Sequence, residues 1–180
     1  MAAWAHLVLN GCPLLGISDR GVNGGKVVES GHRHATLDCM TKAKADAENL
    51  LNEVVPLAQD LLGKNGEFFP FAAALGLTGE AILISGHDGR EQPPSKDLIG
   101  LLESGLRQGA SAGEYIATAL VYDVRVTSQA PTDLTDAIVA ELEHRDGYAV
   151  TIFYPYALTN GQPILASPFA TADSRAIFSR

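Results

Sequence analysis

The chain has 180 residues, of which 46% are hydrophobic and 19% charged, and its formal net charge is −8. That length suits one ordinary domain, and the apolar content excludes disorder for most of the chain. An acidic balance of this size repels phosphate backbones and anionic lipid surfaces, so neither nucleic acid nor a membrane is an expected partner. Two cysteines, Cys12 and Cys39, imply no framework of bridges and fit a reducing, cytoplasmic setting. No apolar stretch approaches the ~20 residues of a membrane helix. LVLNGC, ending at Cys12, looks like a lipoprotein cleavage box, but no Lys or Arg precedes it and the apolar run before it is short for an export signal.

Residues 1–39 differ from the rest of the chain. They hold both cysteines, Trp4 and the histidines His6, His32 and His34, and their charges cancel. They show no sustained hydrophobic period, and GVNGG at 21–25 is loop sequence. Met40 opens a strongly helical run, so 1–39 is expected to be a disordered or mis-annotated extension and 40–180 a single domain. His32, His34 and Cys39 resemble part of a zinc set, but a site needs a fourth ligand and a scaffold. No metal is expected there.

Ala47, Leu50, Leu51, Val54, Ala58, Leu61 and Leu62 form one apolar stripe and predict a helix over 41–62. Pro56 should kink or split it, and Gly63 is placed to cap it. Residues 68–76 and 80–85 predict two strands joined around Leu77-Thr78-Gly79. Alternation is weak in AAALGL, which suits a hairpin buried on both faces. After the loop HDGREQPP, Ser95 is placed to cap a second helix that Gly109 and Gly113 end. Strands are predicted over 114–127, 137–145, 148–156 and 163–169, with a loop at 128–136 and a loose tail at 170–180. Asp146-Gly147 and Asn160-Gly161 are hairpin signals. The order α-β-β-α-β-β-β-β predicts an α+β fold: a largely antiparallel sheet of five or six strands with two helices packed on one face.

The best charged constellation is Asp123, Arg125, Glu141 and Glu143. A pairing that faces Val126 with Ile138 puts all four on one face of the sheet, with Asp123 opposite Glu141. Two carboxylates and an arginine could do acid–base work, though such groups more often form a solvated face with a weak ion pair. His144 and Asp146 flank a turn with no nucleophile nearby in sequence, and HDGR at 87–90 reads as a turn. Ser85, Ser95 and Thr118 lack nucleophile-elbow context, and GVNGGK lacks the Walker spacing. No catalytic residue and no cofactor are therefore assigned.

The remaining candidates are aromatic or adjacent to aromatics. Within GKNGEFFPFA, alternation predicts Phe69 and Phe71 in the core, with Phe68 on the other side. Glu67, at the corner, has no evident structural role. Phe153 is predicted core. Tyr154 and Tyr156 share the opposite face near Pro155 and suit an interface, where one side is apolar and the other wet.

Gly66–Phe71 (G-E-F-F-P-F), Asp123–Val126 (D-V-R-V), Leu142–Tyr148 (L-E-H-R-D-G-Y) and Pro155-Tyr156 together resemble a group of small bacterial single-domain proteins. The resemblance spans roughly residues 41–178, implies a bacterial cytoplasmic domain and brings no activity with it. The chain is expected to be a non-catalytic interaction domain, immunity- or adaptor-like. Its binding residues would be Glu67, Phe68, Asp123, Arg125, Glu141, Glu143, Tyr154 and Tyr156, and its acidity would favour a basic protein partner. An edge strand also offers a route to a homodimer. The alternative is a small enzyme or ligand-binding module using the acidic sheet face.

Overall fold

The computed structural model describes residues 31–125, 135–172 and 176–179, with side chains from residue 39 onward. The elements are α1 (Gly31–Asn65), β1 (Phe71–Gly76), β2 (Ala81–Ser85), α2 (Ser95–Ser111), β3 (Tyr115–Arg125), β4 (Asp136–His144), β5 (Ala149–Thr159), β6 (Gln162–Leu165) and β7 (Phe169–Ala172). All pairings are antiparallel, and the sheet runs β2-β1-β3-β4-β5-β6, with β7 on β5 beside β6. The α+β class and the antiparallel sheet match the expectation. A seventh strand, β7, replaces the start of the expected loose tail.

α1 is longer than its stripe predicts. It begins at Gly31, so Met40 lies inside a helix rather than at its start. The rest of the proposed extension, residues 1–30, lies outside the described residues, as does most of the 128–136 loop. Pro56 sits within α1 without splitting it. A proline in a helix interior costs roughly 3 kcal/mol. Burial offsets this: Leu50, Leu51, Val54 and Leu62 are almost fully removed from solvent, at about 1.5–3 kcal/mol each. Pro56 itself is exposed. The left-handed cap falls at Gly66 (φ 77°), not Gly63, and its N–H bonds Leu62 O at 2.8 Å.

The two helices cover opposite faces of the sheet, which corrects the expectation of one shared face. α1 packs on Phe71, Ala73 and Leu75 of β1, with Ala119 and Val121 of β3 and Ile138, Ala140 and Leu142 of β4. α2 packs on the intervening residues Ala72, Ala74 and Leu120 through Leu102 and Leu106. Neighbouring residues of a strand point to opposite faces, so β1 must be apolar at every position. This is the reason FAAALG does not alternate.

Turn chemistry follows the sequence closely. Gly79 has φ 89° in the β1–β2 turn, Gly147 φ 99° in the β4–β5 turn, and Asn160 and Gly161 have φ 53° and 77° in the β5–β6 turn. Gly109 has a different task. A Cβ there would overlap the Tyr115 ring, whereas at Gly100 and Gly105 on the same helix it would meet open space. Gly109→Ala should therefore destabilise the chain by about 1–3 kcal/mol. Gly100→Ala and Gly105→Ala should each stabilise it by up to about 1 kcal/mol. Urea unfolding of the three variants checks this, and equal effects at all three positions would contradict the packing.

Candidate functional site

The register between β3 and β4 decides what the charged residues can do. Asp123 faces Ile138, Leu120 faces Glu141, Thr118 faces Glu143 and Arg125 faces Asp136. Ile138 therefore sits opposite Asp123, three residues from the expected Val126. An odd shift exchanges the two faces of a strand. Asp123 and Arg125 consequently lie on the α1 side, and Glu141 and Glu143 on the α2 side. The four charges do not form one constellation, and the shared acidic face is not present.

Each member has its own local partner. Glu141 accepts a hydrogen bond from Tyr122 Oη at 2.5 Å. Arg125 is exposed and meets Asp136 at 3.5 Å, an ion pair of the weak surface kind. Asp123 accepts from Tyr156 Oη at 3.1 Å. Burial first, with Asp136 nearby, holds the Asp123 carboxyl above the ordinary carboxylate range, against the hydroxyl that lowers it. Burial and the Asp123 charge in turn push the Tyr156 phenol well above its usual range. Tyr154 and Tyr156 are buried in the α1-side core rather than displayed at a surface. Alternation placed them together correctly, but the face they share is the one under α1.

His144 is buried as well. Its Nδ1 accepts the Asp146 N–H at 3.0 Å, so the proton of the neutral ring sits on Nε2 and is directed to Asp46 Oδ2 at 3.3 Å. This ties the β4–β5 turn to α1 and leaves the imidazole no access to a substrate. Asp88 and Arg90 form a local pair that also reaches Asp97, in keeping with a turn rather than a site. Among the described residues, no group of three His, Cys, Asp or Glu could hold a metal ion, and no helix is long and apolar enough to cross a membrane.

The remaining candidate is apolar. Between the C-terminal end of α1, the segment 67–71 and β2 lies an open groove of about 590 Å³, lined by Leu57, Leu61, Phe68, Phe69, Leu83 and Ile84 among others. Glu67 is its one ionisable lining residue. Phe68 is half-buried and packs on Phe71, with ring centroids 5.8 Å apart. Phe69 is 55% exposed, which corrects its assignment to the core. Strand β1 begins only at Phe71, so the two-residue period does not reach back to Phe69. Phe153 is half-buried and stacks on Phe169 with centroids 4.9 Å apart.

β2 forms one wall of the groove and the outer edge of the sheet. Its Leu83 is 60% exposed and Ile82 41% exposed. Sequence reading located this strand but missed its exposure, because its composition matches that of buried β1. The one available signal was its place at the end of a two-strand hairpin, before a helix that returns the chain to the other side.

Compared with known proteins, the chain matches no family model, no curated protein and no solved structure at a significant level.

The Asp123–Tyr156 pair makes a pH-dependent prediction. The folded chain binds the Asp123 proton more tightly than the unfolded chain does. Stability must therefore fall as pH rises from the ordinary value of 3.8 through the raised one. Asp123→Asn, whose amide oxygen still accepts from Tyr156, should remove that part of the slope and be the more stable form near neutrality. Urea midpoints measured from acid to neutral pH test this, and parallel profiles for the two proteins would contradict it.

Proposed function

We propose that this chain is a non-catalytic protein-interaction domain that adds an extended apolar segment of a basic partner to the free edge of β2. The observation that carries the proposal is the composition of that edge. Ala81–Ser85 has neither charge nor proline, the usual devices that keep an edge strand from pairing. An incoming strand would gain main-chain hydrogen bonds along β2 and place alternate side chains in the groove beside Phe69 and Leu83. Glu67 stands at the groove wall to receive a cationic side chain, and the net charge of −8 steers a basic partner toward it.

A second copy of the chain is the other candidate for this edge, but pairing two acidic chains sets like charges against each other. The small-enzyme alternative required Asp123, Arg125, Glu141 and Glu143 to converge, and they lie on opposite faces of the sheet. A bacterial cytoplasmic setting remains part of the proposal, resting on the sequence resemblance and the cysteine usage.

A photoreactive residue placed at position 83 should crosslink a partner in cells, whereas one at the exposed Leu101 of α2 should not. Binding of the purified partner should weaken roughly tenfold or more in Leu83→Lys and Phe69→Ser, with little change in thermal stability because both side chains are exposed. Unchanged affinity in both variants would refute the edge as the binding surface. A self-crosslink at position 83, with a dimer in sedimentation that Leu83→Lys dissolves, would replace the basic partner with a second copy.

A further inference from the structure

The α2 side of the sheet holds another site, and its occupant is the chain's own C-terminal segment. Glu143 is only 8% exposed. Its Oε1 accepts from the backbone N–H groups of Ala176 at 2.8 Å and Ile177 at 3.1 Å. Its Oε2 accepts from Ile177 at 3.0 Å and Phe178 at 3.3 Å. Three successive amides thus converge on one carboxylate, the arrangement by which backbone binds anions. The Ile177 side chain is buried in the cluster formed with Leu102, Leu106 and Leu120, and Phe178 packs at its margin. Arg107, held by Glu103 at 2.6 Å, donates from Nε to the Ala176 carbonyl at 3.1 Å.

These contacts recognise backbone, not side-chain identity. Residue type is selected only by the apolar slot beneath Ile177 and by its margin, where Phe178 packs. Without an occupant, the slot would expose apolar surface and leave a largely buried carboxylate unsatisfied, which costs several kcal/mol. We propose that the slot is a peptide-acceptor site for a short segment whose backbone bends so that successive amides converge, bearing an aliphatic residue followed by an aromatic one. Residues 176–178 are its resident occupant, which a partner segment of the same chemistry must displace. Tethering gives the tail a local concentration of order millimolar, so it acts as a threshold that admits only tighter-binding segments. The slot lies on the face opposite α1, separate from the groove at β2.

The test uses the full chain and a fluorescent peptide of residues 173–180. Ile177→Asp should undock the tail and bind the peptide saturably, while the wild-type chain binds it roughly a hundredfold more weakly. Adding Glu143→Ala should abolish binding to the Ile177→Asp chain, and so should N-methylation of the peptide at residue 177, which removes a donor to the carboxylate. A folded Ile177→Asp chain that takes up no peptide, or one that binds the methylated peptide equally well, would overturn the proposal. If Ile177→Asp fails to fold, Ile177→Ala takes its place. Independently, the amides of 176–178 in the wild-type chain should exchange hydrogen far more slowly than in the free peptide. Exchange at the free-peptide rate would also overturn the proposal.

Discussion

The fold depends on a sheet covered on both sides. Once α1 lies on one face and α2 on the other, the central strands cannot alternate apolar with polar, because every side chain points into a core. Small residues then become necessary. Ala72, Ala73, Ala74, Ala117, Ala119, Ala137 and Ala140 are wholly buried. They let the α1 stripe and the Leu102–Leu106 face of α2 approach the same few strands. Gly109 extends this logic to the end of α2, where the Tyr115 ring occupies the space a side chain would need.

β4 fastens the two layers together at its C-terminal end. Glu143 and His144 are adjacent, both buried, and face opposite sides. His144 reaches Asp46 of α1, and Glu143 holds the C-terminal segment under α2. Burying a polar group is costly unless it is satisfied, and here each is satisfied by a different layer. One dipeptide therefore sets the position of a helix on one face and of the chain's end on the other. The LEH-DG-Y stretch that stood out in the sequence is explained by this anchoring more than by any chemistry.

Legibility from sequence divides along the same lines. Turn positions were legible because Gly79, Gly147 and Asn160-Gly161 adopt backbone angles that few residues tolerate. The α1 stripe was legible from its period. The side on which each helix packs was contained in AAALGL, whose lack of alternation already required cover on both faces, yet that implication sat beside an expectation of two helices on one face. The β3–β4 register was not legible. With both faces of ATALV apolar, sliding β3 against β4 exposes no obvious error, and the strands are joined by a long connection rather than a tight turn. The displacement carried the Asp123, Arg125, Glu141 and Glu143 site with it. Glu143 remained a residue of interest for a reason the pattern could not show, since its partners are backbone amides more than thirty residues away in sequence.

The two edges of the sheet are treated differently, and that asymmetry carries the functional argument further than any single residue. On the far side, β5 is covered by two four-residue strands, β6 and β7, and β6 contains Pro163. Short strands and proline are ways to keep an edge from recruiting another chain. β2 is also short, at five residues, but carries neither charge nor proline, although a single lysine at Leu83 would supply a charge. An aliphatic, charge-free edge costs solubility and invites aggregation unless something pairs with it. A chain with 19% charged residues could readily place one there. The charge-free edge, beside a groove bearing the exposed Phe69, is the feature of the fold that structure alone does not require.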